Sequence, residues 1–180
     1  MSKEYYEIDI CGLKRQLLKC EVNDKLDIAA FIMFGDVELT VKASEELLAK
    51  CPEFDIIITA EAKGIPLAYE MARQSGKPYI VARKSVKLYM RDPIKVSVKS
   101  ITTQKEQVLY VDSEKAELIR GKRILIVDDV ISTGESLKAL EALIERSEGK
   151  IAGKATVLAE GDAINRSDVI SIAPLPLFFK

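Results

Sequence analysis

Two aspartates, Asp128 and Asp129, follow the apolar run Ile124-Leu125-Ile126-Val127. They precede Val130-Ile131 and the small, hydroxyl-bearing turn Ser132-Thr133-Gly134, with Glu135 and Ser136 next. Carboxylates at the end of a buried strand can accept hydrogen bonds from the vicinal hydroxyls of a sugar or help hold a hydrated cation. The turn after them opens a helix, where unpaired backbone N–H groups and the helix dipole favour a phosphate. Two cationic groups stand at other strand ends: Lys63 within Glu61-Ala62-Lys63-Gly64, and Arg83-Lys84 with Lys87 a little further on. A plainer reading is available for each. The acids can cap the helix or form a receiver-like acidic pocket, and the cations can be solvated strand ends. A receiver domain, however, needs a phosphorylatable Asp at another strand end.

What the chain lacks narrows the chemistry. No histidine occurs in 180 residues, which excludes Ser-His-Asp and Cys-His catalysis, His-ligated zinc and any imidazole acid or base. The three cysteines, Cys11, Cys20 and Cys51, are scattered and form no C-x-x-C, which fits a reducing cytoplasm rather than a disulfide framework or thiolate cluster. Twenty-seven Lys and Arg against 28 Asp and Glu leave a net charge of −1, so no global field draws the chain to nucleic acid or to an anionic membrane. Any anion site is local. The start, Met-Ser-Lys-Glu-Tyr-Tyr, has no signal pattern, and apolar runs such as 28–34 are too short to span a bilayer.

The elements that must position these residues are legible from periodicity. The length and a composition of 48% hydrophobic and 31% charged residues suit one soluble domain over 1–180. Glu7 to Cys11 and Gln16 to Val22 read as a hairpin around Gly12, and Ala43 to Lys50 carries a helical stripe at Ala43, Leu47 and Leu48. Phe54 to Thr59 reads as a strand, followed by a loop and by a helix from Ile65-Pro66 to about Gln74. Tyr79 to Ala82 is a further strand. Lys95 to Ile101 and Gln107 to Val111 alternate as an antiparallel pair around a polar stretch read as a mobile loop. Arg123 to Val127 is the clearest buried strand. Glu135 to Glu145 is a helix with Leu137, Leu140, Ala142 and Leu143 or Ile144 on its apolar face, and Ala155 to Ala159 and Val169 to Ile172 add two strands. This alternation predicts an α/β fold with a mostly parallel central sheet flanked by helices, its ligand site at the carboxyl ends of the strands.

The string Val127 to Ser136 resembles the phosphoribosyl pyrophosphate (PRPP) motif of the type I phosphoribosyltransferases, with Glu135 where many members carry a second Gly. Glu61-Ala62-Lys63-Gly64 resembles their pyrophosphate loop, which implies that Ala62, Lys63 and Gly64 meet the pyrophosphate, often across a strained non-proline peptide. Arg83-Lys84, with Lys87, is similar to the Arg-Lys segment of the adenine and xanthine branches and adds charge over the same group. Ser100 to Gln107 resembles the catalytic loop of the xanthine enzymes and of related PRPP-binding regulators. Adenine enzymes carry a Glu there as the usual candidate for protonating the departing purine. Thr102, or Thr103, stands nearest that position and cannot titrate near neutrality, so Thr102 takes the place without the acid role. Thr59 to Pro66 also resembles archaeal hypoxanthine enzymes. Phe34-Gly35-Asp36-Val37 resembles the Phe-Arg-Asp-Ile stretch on which adenine enzymes stack the base, with Gly35 in place of Arg. Phe31 or Phe34 offers the aromatic face, in a small N-terminal hood of about residues 1–35.

The resemblance implies the type I phosphoribosyltransferase fold and transfer of phosphoribosyl from PRPP to N9 of a purine in purine salvage, giving a nucleoside monophosphate and pyrophosphate. Adenine, xanthine, hypoxanthine and guanine all remain open. It places Asp128 and Asp129 on the ribose and Ile131, Ser132, Thr133, Gly134, Glu135 and Ser136 around the 5′-phosphate. Mg²⁺ would be the cofactor, held mainly by PRPP itself, with Asp128 and Asp129 the protein groups available to it. A cytoplasmic homodimer without nucleic-acid or membrane partners is expected. The alternative is a PRPP-sensing regulator that keeps the pocket without the catalysis, although its DNA-binding relatives carry an extra N-terminal domain. The N- and C-terminal segments, Pro174 and Pro176 included, either serve an interface or cover the core.

Overall fold

The computed structural model describes residues 4–99 and 106–180, so Thr102 and Thr103 lie outside the described residues. The chain opens with an antiparallel meander of β1 (Tyr5–Ile10), β2 (Leu13–Asn23) and β3 (Leu26–Ala30). It continues through α1 (Val37–Lys50), β4 (Ile56–Ala60), α2 (Ile65–Ser75) and β5 (Tyr79–Ala82). The hairpin of β6 (Ile94–Lys99) and β7 (Glu106–Val111) leads to α3 (Ser113–Ile119), β8 (Arg123–Ile131), α4 (Glu135–Arg146) and β9 (Lys150–Glu160). A 3₁₀ turn at Gly161–Asn165, β10 (Ile170–Leu175) and β11 (Phe178–Phe179) end the chain.

The central sheet has the order β10-β9-β8-β4-β5, and every pairing in it is parallel. Both of its faces are covered, which explains the continuous apolar runs 56–58 in β4 and 124–127 in β8. Ile57, Leu125 and Val127 pack with α1, α2 and the meander, while Ile56, Ile58, Ile124 and Ile126 pack with α3, α4 and the β6–β7 hairpin. Parallel strands leave their carboxyl ends along one edge, and that edge is where β4 and β8 deliver the two loops singled out from sequence.

The hood is a four-stranded sheet of order β1-β2-β3-β11, so the C-terminal strand completes it. Phe178 meets Tyr6 edge-on at 5.2 Å between ring centroids and lies under the Lys19 ammonium at 4.9 Å. Lys180 reaches Glu21 at 2.8 Å and Asp27 at 2.9 Å. The tail therefore crosses from the central sheet into the hood and ties the two together.

Several elements differ from the expectation, each for a local reason. Helix α1 begins at Val37, six residues before the stripe at Ala43, because Asp36 caps it by accepting from the Leu39 N–H at 3.2 Å. Arg15 holds that carboxylate from β2 at 2.7 and 3.0 Å, which keeps Asp36 ionised well below the usual carboxylate range. Strand β3 and helix α3 carry no clear period in the sequence and emerge only in the fold. Strand β8 does not stop at Val127 but runs through both aspartates to Ile131, paired with β9 as far as Ala159.

Candidate active site

The loop between β4 and α2 is pressed directly against the aspartate pair. Its Glu61–Ala62 peptide is cis, at the place where the resemblance implies an unusual non-proline peptide. Gly64 leaves no room for a side chain, since a methyl there would fall 2.3 Å from Thr59 Oγ1 and 2.9 Å from Asp128 Oδ1. Pro66, in the first turn of α2, needs no hydrogen-bond partner for its nitrogen. One residue before Gly64, the half-exposed Lys63 sends its Nζ to within 2.8 Å of Asp129 Oδ2, whose own side chain is 3% exposed.

Asp128 and Asp129 are not equivalent. The Asp129 backbone N–H donates to Asp128 Oδ1 at 2.9 Å. Burial, followed by the neighbouring Asp129 carboxylate, pushes the Asp128 carboxyl well above the ordinary carboxylate range, and the Lys63 charge opposes them. The Lys63 ammonium sits near Asp129 Oδ2 but off the hydrogen-bonding direction, so this buried oxygen has no directed donor among the described residues. Thr59 Oγ1, beneath Gly64, is likewise without one. An acceptor in that state is ready for a hydroxyl or for water on a cation.

After the aspartates the chain turns around a concavity of about 190 Å³ walled by Asp128, Ile131, Ser132, Thr133, Gly134 and Ser136. Gly134 has φ +76, a left-handed conformation suited to glycine, and stands at the N-cap of α4 without a side-chain cap. No side-chain cap therefore competes for this end of the helix, where the dipole favours an anion. Glu135 occupies the first turn and is half-buried.

The cations at the end of β5 converge on a residue the sequence reading did not assign a role. Glu61 takes the Lys84 backbone N–H at 3.0 Å, lies 3.3 Å from Arg83 Nη1 and 3.9 Å from Lys87 Nζ, and is held below its ordinary pKa by that N–H first and by those charges. Arg83 is fixed in turn by two backbone hydrogen bonds with Tyr110 of β7, both 2.8 Å. The Lys84 side chain is exposed. Glu61 had one signal in the sequence, an acid inside a short loop that otherwise carries a cation; Gln107, another wall of the 190 Å³ concavity, had none beyond its place at the end of the 100–107 segment.

The aromatic residues of the hood separate. Phe31 is 4% exposed and packs in the core with Met33 and Leu39, so its ring offers no face to a ligand; the expectation that it stacks a base is corrected by its burial. Phe34 is 53% exposed. Gly35 beside it has φ +84 and turns the chain into the Asp36 cap.

A parallel α/β sheet that brings a glycine turn opening a helix, an acidic pair and a lysine loop to one carboxyl edge defines the class of fold, and comparison with known proteins narrows it. Residues 35–171 match the phosphoribosyl transferase domain family, and the chain belongs to that family. An adenine phosphoribosyltransferase of Cenarchaeum symbiosum is 34% identical over 118 residues, 64% of this chain and 66% of the relative. A hypoxanthine/guanine phosphoribosyltransferase of Methanosarcina mazei is 32% identical over 120 residues, 67% of this chain and 60% of the relative. The chain thus spans less than two thirds of the length of these relatives. The crystal structure of adenine phosphoribosyltransferase from Thermoanaerobacter pseudethanolicus superimposes with a TM-score of 0.65, covering 94% of this chain and 95% of that one at 22% identity. That likeness shows the type I phosphoribosyltransferase fold.

Proposed function

We propose that the protein transfers a phosphoribosyl group from PRPP to N9 of a purine base, releasing pyrophosphate, as a salvage enzyme. The observation that carries this reading is the junction of the two loops: Lys63 ion-pairs with Asp129, and Gly64 packs on Asp128. A cation for the leaving pyrophosphate and carboxylates for the ribose hydroxyls are thereby held at one point. The names of the relatives, which span adenine and 6-oxopurine enzymes, support a purine as acceptor.

In this reaction the C1′–pyrophosphate bond breaks as N9 of the base bonds to C1′, and positive charge develops on the ribose. Asp128 and Asp129 accept hydrogen bonds from its hydroxyls and place carboxylate charge beside it. Lys63 turns from Asp129 toward the pyrophosphate, with Arg83 and Lys87 behind Glu61 adding to the field. The N–H groups at the start of α4 anchor the 5′-phosphate. No cluster of three acidic or cysteine side chains that could hold a metal occurs among the described residues. The hard oxygens of Asp128 and Asp129, one without a directed donor, nonetheless fit a hydrated Mg²⁺ carried by PRPP, which would offset charge on the leaving group. Phe34 is the ring available to the base.

The working unit is a homodimer in a reducing, cytoplasmic setting. Its three cysteines are free thiols. Tyr69 and Tyr79, in edge contact at 6.2 Å between α2 and β5, are both exposed, an aromatic pair suited to a second copy of the chain. Among the described residues no helix is long and apolar enough to cross a membrane.

The test is pyrophosphate release from PRPP and Mg²⁺ with adenine, guanine, hypoxanthine and xanthine in turn, with nucleotide product confirmed by mass. Release dependent on one base supports the reading and names the substrate. PRPP binding without turnover on any base favours the sensing regulator instead.

A further inference from the structure

The 5′-phosphate concavity has a neighbour that no sequence motif connects to it. A methyl built on Gly134 would lie 2.9 Å from Nη1 of Arg166, so this guanidinium stands immediately against the loop. Arg166 follows the 3₁₀ turn after β9, 32 positions along the chain, and its fork is locked from behind. Its Nε donates to Asp168 Oδ1 at 2.9 Å and its Nη2 to Asp168 Oδ2 at 2.7 Å, and Asp168 keeps it firmly protonated. Asp168 is shared with Lys154 at 2.7 Å, and Lys154 reaches Glu141 on α4 at 2.5 Å. Glu141, Lys154, Asp168 and Arg166 thus form a chain of alternating charges that starts on α4 and ends with a guanidinium at the N-terminus of the same helix. Nη1 is the one nitrogen of the fork that this chain leaves undirected, and it is the one that faces the loop.

We infer that Arg166 is a positioning residue for the 5′-phosphate of the sugar substrate. It backs the left-handed turn at Gly134 and adds fixed positive charge where the loop and the start of α4 receive a dianionic phosphate monoester. A bidentate Arg–carboxylate fork orients its third nitrogen without further cost in side-chain freedom, which suits a cation acting through a backbone turn. The inference rests on the PRPP reading of the loop and adds a residue to it.

The experiment is calorimetric titration of ribose 5-phosphate and, separately, of pyrophosphate with Mg²⁺, into the wild-type protein and the Arg166→Ala, Arg166→Gln and Arg166→Lys variants. Loss of the charge weakens ribose 5-phosphate binding about tenfold and pyrophosphate binding less than twofold, with Arg166→Lys recovering most of the difference. The gap between wild type and Arg166→Gln widens as pH rises through the second phosphate ionisation, about 6, which a merely structural role would not produce. Equal loss for both ligands, or unchanged affinity in all variants, overturns the role of Arg166. Wild-type protein that binds pyrophosphate but not ribose 5-phosphate overturns the underlying assignment of the cradle. Should Arg166→Ala melt at the assay temperature, the Lys and Gln pair, which keep the side-chain bulk, decide the matter.

Discussion

The carboxyl edge of the central sheet and the hood above it are built on opposite principles. At the edge, every candidate residue lies within a few positions of a strand end, and the contacts are polar and close: Lys63 on Asp129, Gly64 on Asp128, Arg83 on Glu61. The hood is assembled from the first three strands and the last one, and its contacts are apolar packing plus a few peripheral ion pairs. The edge is specified by local spacing because short loops after parallel strands have little freedom. The hood is specified by what closes over it, because a small antiparallel sheet needs a partner face. Under the proposed function, charge-handling chemistry falls to a region the chain fixes locally, and recognition of the base to a region that long-range pairing shapes.

This contrast can be broken most sharply with the two phenylalanines. Phe31→Ala should destabilise the fold by about 3–5 kcal/mol, as for any large core truncation, whereas Phe34→Ala should leave the melting temperature nearly unchanged and raise KM for the purine alone. Thermal melting beside steady-state kinetics separates them, and equal loss of stability in both variants would show that the hood presents no ring to the base.

The edge is tested next. Asp128→Asn combined with Asp129→Asn should lower kcat by about 10²–10³, with retention of fold seen by circular dichroism, since the charges act on the transition state rather than on packing. An unchanged rate of transfer would remove the aspartates from the mechanism.

Gly64→Ala should cost about 1–3 kcal/mol and weaken PRPP binding, because the added methyl meets Thr59 Oγ1 and Asp128. Gly12→Ala makes an instructive control. Unlike Gly64, whose φ is −73, it has a positive φ, +75, and nothing lies within 4 Å of the added carbon, so its cost is the backbone penalty of about 1 kcal/mol alone. Denaturant titration of both variants resolves the difference, and PRPP affinity should fall only for the first.

The smallest effect is a pH slope. The Asp128 pKa is raised in the fold, so this group binds a proton more tightly folded than unfolded. Its contribution to stability is fully present below the unfolded value of about 4 and is lost as pH rises through the folded one. The difference in melting temperature between wild type and Asp128→Asn should therefore shift in favour of the variant across that window in the unliganded protein. A wild-type profile parallel to that of the variant would mean that Lys63 already cancels the burial of the carboxylate.

Much of this architecture can be read from one dimension. Strand β5 follows from a short apolar run, the β6–β7 pairing from alternation, the start of α2 from Ile65-Pro66, and the turn into α4 from the run Val127 to Ser136, because these depend on spacing within a dozen residues. Strand β3 and helix α3 escaped because neither carries a clean period, and the start of α1 escaped because Arg15 and Asp36 decide it from two separate elements. The role of Glu61 is hidden in the sequence for a similar reason, since its partners come from the end of β5.

The amino-acid sequence by itself pointed to the class of chemistry: two carboxylates, a lysine before glycine and a small hydroxyl-bearing turn opening a helix, on loops that parallel strands must deliver to one edge. Only the tertiary structure decided that Lys63 pairs with Asp129, that Phe31 is buried and Phe34 is not, that residues 178–179 complete the hood, and that Arg166 stands at Gly134. Those outcomes join positions from about 30 to more than 150 residues apart, and the free energy that selects them comes from packing and charge pairing between elements, which no local pattern of residues encodes.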